Sequence, residues 1–250
     1  MEEKVFIFIS HSHRDLDKVR RVRNFLEKNF SEPILFFLKS KDDEDEITSL
    51  IEEEIDARIW FIYCDSENAR ESNWVQKELD YVYKTGKRNC TTINLDTDFD
   101  SKGYLKASTK RRLKRELEKF LYLQRLTISC SHRDDAEIEK IRKILFKYGI
   151  ATTIDKGLHA GDNWFDQSHK RIERASAVIF FFSENSLNSL AFRHEMQQAK
   201  EIHKDVFGVY LSYGMPICME KQLDFIIDVS NEKSLEKDAV GLVYYLFDHI

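Results

Sequence analysis

The chain has 250 residues, of which 42% are hydrophobic and 33% charged, and its formal net charge is -5 at pH 7. This length accommodates one large domain or two ordinary ones, and the composition is typical of globular proteins rather than disordered or membrane-spanning chains. The negative charge argues against general nucleic-acid binding, and four widely scattered cysteines indicate neither a disulfide framework nor a zinc knuckle. We expect a cytoplasmic protein without a membrane segment, since no apolar run approaches the roughly 20 residues that a membrane helix needs.

Apolar runs alternate with amphipathic patterns from the start of the chain to its end. The runs lie at residues 5–9, 34–38, 59–64, 126–128, 151–154 and 177–182. Short strands that are apolar throughout and separated by helices indicate a parallel sheet covered on both faces. We therefore predict an α/β fold of two flavodoxin-like domains, residues 1–120 and 121–250, each with about five strands.

A basic cluster lies at residues 106–119. Leu113, Leu117 and Phe120 recur there at helical spacing, which predicts a solvated amphipathic helix. A phosphate-binding patch is the alternative.

An internal repeat organises these segments. Residues 9–15 recur at 128–134 with six of seven residues identical, and the tripeptide at 66–68 recurs at 183–185. The same spacing pairs Glu78 with Glu195. Three landmarks in the same order indicate a duplicated unit. In each unit the repeated polar turn follows the first strand, at the sheet edge where α/β proteins bind ligands.

These motifs resemble the TIR (Toll/interleukin-1 receptor) domain family. Residues 8–15 look like its first-strand motif, and residues 72–79 are similar to its Ser-x-Trp-x-x-x-Glu-Leu helix. Residues 149–150, 154–155 and 158–161 are similar to its loop after the second strand. The resemblance covers nearly the whole chain and implies a bacterial-type tandem TIR protein. Some members of the family are adaptors that only assemble, whereas others cleave NAD+ between nicotinamide and ribose.

The catalytic members rely on the helix glutamate, so the resemblance implies Glu78 and Glu195 as catalytic residues. Nicotinamide leaves a pyridinium as a neutral base, so the reaction needs no acid, and one carboxylate can stabilise the positive charge that develops on the ribose. Attack by water gives ADP-ribose, and attack by a hydroxyl of the same molecule gives a cyclic isomer. NAD+ is then the substrate, and we expect no separate cofactor and no metal.

Glu78 shares a helix face with Trp74 and Val82, and Glu195 lies between Ala191 and Ala199. A carboxylate on an apolar stripe needs a partner or a function, because its desolvation is costly. The alternative is an ordinary surface glutamate.

Further residues are candidates for substrate binding. They are Ser10, His11, Arg14, Trp74, Ser129, Arg133, Asp155, Gly161 and Trp164. For the two arginines a phosphate contact and a salt bridge to the adjacent Asp15 or Asp134 are both open, and for Asp155 a substrate contact and a cap of the following loop are both open. His11 and His13 share a strand face, but two ligands do not make a zinc site.

The two repeats differ in complementary ways. The first keeps Trp74, but its loop at residues 39–46 has five acids and would repel a pyrophosphate. The second offers Gly161 and Trp164 but has Ala191 in place of the tryptophan. This suggests a composite site of Glu78 and the 161–164 loop of the second domain or of another chain, consistent with self-assembly of TIR domains.

Two other functions compete with the enzyme. The first is a non-catalytic TIR–TIR interaction module. The second is a phosphoacceptor or flavin-binding relative, which the absence of a paired-aspartate pocket and of a phosphate-cradling glycine loop disfavours. The resemblance implies a role in bacterial antiviral (anti-phage) signalling, with a sensor or effector protein as a further partner.

Overall fold

The structure is a computed structural model that describes residues 4–29, 31–35, 44–87, 89–154, 164–213 and 223–250, without the side chains of residues 44, 45 and 164. The chain divides into two compact units, Met1–Leu121 and Tyr122–Ile250. Each unit has a parallel sheet flanked by helices, which confirms the predicted α/β fold. No helix in the described ranges is long and apolar enough to cross a bilayer.

The first unit contains four described strands in the order β2-β1-β3-β4. Its elements are β1 (Val5–Ser10), α1 (Leu16–Glu27), β2 (Ser31–Ile34), α2 (Glu44–Asp56), β3 (Trp60–Asp65), α3 (Glu67–Arg70), α4 (Asn73–Thr85), β4 (Cys90–Asn94) and α5 (Ala107–Leu123), whose last two residues belong to the second unit. The central strand β1 pairs with β2 and β3, and its carboxyl end is Ser10.

Both faces of this sheet are covered because successive strand residues point to opposite sides. On one face Phe8 and Phe61 pack with Ile51 and Val82, which brings α2 and α4 together. On the other face Trp60 contacts Phe120, a residue of α5, with ring centroids 5.1 Å apart.

The basic cluster at residues 106–119 lies largely on α5, which is amphipathic as predicted: Leu113, Leu117 and Phe120 are buried.

Strand β2 differs from its predicted position at residues 34–38. It occupies Ser31–Ile34, and residues 36–38 lie outside the described part of the chain. Pro33 is within this strand, where it pairs with Ile7. A proline lacks the N–H that a central strand needs, but β2 is at the sheet edge, where proline is tolerated. The apolar run after the proline was therefore a misleading guide to where the strand begins.

The second unit contains five described strands in the order β6-β5-β7-β8-β9. Its elements are β5 (Leu126–Ser129), α6 (Asp135–Lys147), β6 (Thr152–Ile154), α7 (Trp164–Arg174), β7 (Ala177–Phe182), α8 (Glu184–Leu187), α9 (Leu190–Glu201), β8 (Asp205–Ser212), β9 (Phe225–Asp228) and α10 (Glu232–Asp248). Ile128 and Ile179 pack against α6 and α10 on one face, and Phe180 packs against α9 on the other.

Candidate functional site

Glu78 is buried at the carboxyl edge of the first sheet. Helix α4 begins at Asn73, directly after Ser72. The Ser72 side chain caps the helix by accepting a hydrogen bond from the backbone N–H of Val75. Glu78 follows one turn later on the buried face of that helix. Its Oε2 accepts a hydrogen bond of 2.5 Å from Oγ of Ser10, the last residue of β1. The repeat thus places a carboxylate directly over the end of the central strand.

Burial dominates the electrostatics of this carboxylate. Glu78 is 8% exposed, and desolvation raises its pKa from 4.5 to about 7, while the hydrogen bond from Ser10 acts in the opposite direction. No cation among the described residues forms an ion pair with it. Glu78 is therefore a carboxyl group that titrates near neutral pH.

A cavity of about 220 Å³ opens beside Glu78, between α2 and α4. Ile51 and Trp74 provide apolar walls, and Lys77 and Tyr81 provide polar ones. The Lys77 ammonium lies 4.6 Å from the centroid of the Trp74 ring. The cavity is smaller than the roughly 300 Å³ at which small-molecule pockets usually begin, so it fits a fragment of a dinucleotide rather than a whole one.

The matching glutamate of the second repeat has a different environment. Glu195 lies in α9 and is 4% exposed. Its Oε1 accepts from Oγ of Ser168 at 2.7 Å and from the guanidinium of Arg171, with which it forms an ion pair. The same guanidinium donates to the carbonyl oxygen of Ile128 at 3.1 Å. Glu195 is therefore neutralised by a cation from α7.

The residues that neutralise Glu195 have no counterparts in the first repeat. The spacing that pairs Glu78 with Glu195 places Ser168 on Ile51 and Arg171 on Glu54. Glu54 instead forms an ion pair of 2.6 Å with Arg58, which lies two residues after the end of α2. An isoleucine and an acid at these two positions supply no cation to Glu78, and Ile51 lines the cavity beside it.

The positions that line the cavity have also diverged. Thr48 corresponds to Phe165, and Lys77 corresponds to His194. Phe165 and His194 make an edge contact with ring centroids 4.5 Å apart, so aromatic packing joins α7 to α9 in the second unit. Trp74, which lines the cavity of the first unit, corresponds to Ala191.

The repeated tripeptide at residues 66–68 and 183–185 has a structural role that the sequence analysis missed. Ser66 and Asn68 donate to the carboxylate of Asp15, at 2.5 and 2.8 Å. In the second unit Ser183 and Asn185 donate to Asp134 in the same way, both at 2.6 Å. The tripeptide therefore ties the end of the third strand of each unit to the turn after its first strand. The matching recurrence of the aspartate and the tripeptide was the available signal.

Arg14 does not pair with the adjacent aspartate, because Asp15 is occupied by the tripeptide. It is exposed and lies 4.0 Å from Glu71, and Arg133 is exposed as well. The alternative of a salt bridge to the neighbouring aspartate is therefore wrong for Arg14. Both arginines lie on the polar turn after the first strand of their own unit.

The other candidate residues are distributed as follows. His11 is half-buried with its Nδ1 2.9 Å from the carbonyl oxygen of Ile9, and burial lowers its pKa. Asp155 and Gly161 lie outside the described residues, as do residues 39–43 of the acidic loop. Trp164 is the first residue of α7, and its side chain is not described. The described ranges contain no group of three metal-ligating side chains that could hold an ion.

Comparisons with known proteins support the family and little else. No curated protein matches the chain. Among solved structures, it is similar to a LacI family transcriptional regulator from Arthrobacter sp. FB24 in complex with lactose, with 11% identity, 99% of this chain and 91% of that chain covered, and a TM-score of 0.25. It is also similar to a xylose-binding transcription activator, with 13% identity, 100% and 65% coverage, and a TM-score of 0.28. Likenesses as weak as these carry no argument about function.

The sequence profile of the TIR domain, in contrast, matches the chain twice, at residues 7–120 and 126–241. These two matches include both glutamates and both first-strand motifs, and they leave only short segments uncovered. The chain therefore belongs to the TIR domain family and carries two copies of the domain.

Proposed function

We propose that the first TIR domain cleaves the bond between nicotinamide and ribose in NAD+, with Glu78 as its catalytic carboxylate. The observation that carries this proposal is the contrast between the two glutamates. Glu78 is buried beside a cavity with a serine as its partner, whereas Glu195 is held in an ion pair by Arg171. A carboxylate that must meet a developing positive charge needs an oxygen that no protein cation already occupies.

The chemistry proposed for Glu78 follows from its surroundings. Its ionised carboxylate accepts hydrogen bonds from ribose hydroxyls and stabilises the positive charge on the ribose as neutral nicotinamide leaves. The dry environment strengthens that interaction. The indole of Trp74, half-buried in the wall of the same cavity with Lys77 over its ring, supplies an aromatic surface against which a ring of the dinucleotide packs. Ser10 orients the carboxylate through its hydrogen bond.

The test is an NAD+ consumption assay with the full-length protein. We expect Glu78→Gln to lower the rate of nicotinamide release by roughly 10²- to 10³-fold, the usual effect of losing one preorganised electrostatic group. Glu195→Gln is the matched control, because it changes the corresponding residue of the other repeat, and it leaves the rate within about threefold. Full activity in Glu78→Gln, or loss only in Glu195→Gln, would overturn the proposal. Chromatography of the products distinguishes ADP-ribose from a cyclic isomer.

A non-catalytic role in TIR–TIR assembly is the second candidate function, and the second domain favours it. The ion pair between Glu195 and Arg171 satisfies the carboxylate without a ligand, and Phe165 packs on His194 where the first domain has cavity-lining residues. Light scattering of the purified protein, with and without NAD+, measures assembly directly. A protein that assembles but releases no nicotinamide would support this function for the whole chain.

The biological setting that we propose is antiviral signalling, in which activity or assembly responds to a sensor or effector protein. Phage challenge of cells that express the wild-type chain or Glu78→Gln tests it. Protection that is lost in Glu78→Gln would link NAD+ cleavage to defence. Equal protection by both proteins would show that defence does not require NAD+ cleavage.

A further inference from the structure

Ser129 carries a buried hydroxyl that has no hydrogen-bond partner in the part of the chain that the structure describes. It ends β5 as Ser10 ends β1, and it is 2% exposed. Ser10 donates to Glu78, whereas Oγ of Ser129 has no partner within the described ranges. An unpaired buried polar group is costly, so native proteins rarely keep one without a reason.

The carboxylate that corresponds to the partner of Ser10 is held elsewhere. Glu195 accepts from Ser168 and from Arg171, and both bonds are made to the same oxygen, Oε1. Arg171 also donates to the carbonyl of Ile128, the residue before Ser129. Its guanidinium thus bridges the end of β5 and the helix that carries Glu195, where the first repeat has a direct serine–glutamate bond.

We propose that Arg171 is a positioning residue that holds Glu195 away from Ser129, and that Glu195 has a second position in which Ser129 donates to it as Ser10 donates to Glu78. In this second position the carboxylate has the environment of the catalytic one. The second domain therefore contains a closed copy of the catalytic site, in which Arg171 keeps the carboxylate out of its active position. This consequence rests on the proposed function. The position of the carboxylate itself does not depend on that function.

A purely structural ion pair makes a different prediction about Ser129. If Arg171 and Glu195 only stabilise the packing of α7 on α9, Ser129 remains unpaired whether or not the arginine is present. If Arg171 holds Glu195 in place, Ser129 gains a partner when the arginine is removed. The energetic coupling between Ser129 and residue 171 therefore distinguishes the two possibilities.

The first experiment measures thermal unfolding of the full-length protein with Ser129→Ala in two backgrounds. In the wild-type background we expect an unchanged or higher Tm, because the substitution removes an unpaired hydroxyl. In the Arg171→Met background we expect the same substitution to lower Tm by roughly 3–6 °C. Ser10→Ala is the matched control and lowers Tm in the wild-type background. Equal effects of Ser129→Ala in both backgrounds would overturn the proposal.

Arg171→Met leaves a buried carboxylate without its cation, which can prevent folding. Arg171→Lys is the second variant, because its ammonium keeps the charge but lacks the planar, rigid fork with which the guanidinium donates to both Glu195 and the Ile128 carbonyl. A crystal structure of whichever variant folds measures the distance from Oγ of Ser129 to the Glu195 carboxylate. We expect about 2.5–3.0 Å, and a carboxylate that remains on Ser168 refutes the proposal.

The second experiment tests the catalytic consequence in proteins that carry Glu78→Gln. Adding Arg171→Met is expected to raise NAD+ cleavage roughly tenfold above that background, and adding Glu195→Gln to the pair abolishes the gain. If the Tm measurements show coupling between Ser129 and residue 171 but NAD+ cleavage does not rise, Arg171 positions Glu195 as proposed and the idea of a closed catalytic site is refuted. An active Glu78→Gln protein instead refutes the proposed function, so the two failures are distinguishable.

Discussion

Replacing Glu78 with glutamine should stabilise the protein, and by an amount that grows with pH. Burial raises the pKa of Glu78 to about 7 from an ordinary value of 4.5. The folded protein therefore binds this proton roughly 300-fold more tightly than the unfolded chain, which corresponds to about 3 kcal/mol. Since the pKa is higher in the folded state, the stabilisation from protonation is complete below pH 4.5 and is lost as the pH rises through 7. Glutamine keeps the acceptor for Ser10 and does not titrate.

The measurement is urea unfolding of the full-length protein at several pH values between 4.5 and 8.5. A Trp164→Phe background leaves Trp60 and Trp74 as the fluorescent reporters, and both belong to the first unit. We compare the free energy of unfolding of Glu78→Gln with that of its parent at each pH. The difference in favour of the variant should be about 3 kcal/mol larger at pH 8.5 than at pH 4.5. Glu53→Gln, at an exposed position on α2, is the control and shows no such change.

A difference between Glu78→Gln and its parent that is the same at all pH values would refute the reasoning, because it would mean that the carboxyl group is not destabilised by burial. A difference that is larger at acid pH would contradict the sign of the pKa change. Either result would also weaken the proposed catalytic role, which depends on a desolvated carboxylate at this position.

Three further predictions concern the same turns and helices. Nicotinamide release should rise with pH through a midpoint near 7, because the ionised form of Glu78 is the reactive one; a flat profile from pH 5.5 to 8.5 would contradict this. Ser10→Ala should move that midpoint upward by about one pH unit, because the hydrogen bond that it removes favours the charged form of Glu78. The control Thr85→Ala, at the far end of α4, should leave the midpoint unchanged. Asp134→Asn should lower the free energy of unfolding by about 2 kcal/mol in urea titrations, because Ser183, Asn185 and Tyr213 lose the carboxylate to which they donate. A change below about 0.5 kcal/mol would exclude a structural role for this carboxylate.

The duplication and the α/β class could be predicted from the sequence because they depend on patterns that repeat along the chain. The runs at 59–64 and 177–182 are strands of the described sheets, at Trp60–Asp65 and Ala177–Phe182. The second strand was predicted from the apolar run at residues 34–38, whereas it occupies Ser31–Ile34 and includes Pro33. Only the sheet order shows that this strand is at an edge, where the proline is acceptable.

The burial of Glu78 could also be anticipated, since its apolar neighbours recur at helical spacing. Its partner Ser10 lies 68 residues away in sequence, and nothing in the local pattern of either residue indicates that they meet. The neutralisation of Glu195 was harder still to foresee, because Arg171 lies in α7, where the sequence offers no landmark of the repeat, 24 residues before Glu195. Contacts between elements, rather than the elements themselves, were the missing information.

The two repeats answer the same electrostatic problem in opposite ways. A buried carboxylate must be protonated, paired with a cation or held at a cost in stability. Glu195 is paired, so its charge is compensated, but Arg171 and Ser168 both occupy its Oε1. Among the described residues, Ser10 is the one side chain that donates a hydrogen bond to Glu78, so ionisation of Glu78 is costly but its carboxylate lines the cavity. Both repeats keep the glutamate, so the difference between its two environments depends on the residue that faces it. That residue is Arg171 in the second repeat and corresponds to Glu54 in the first.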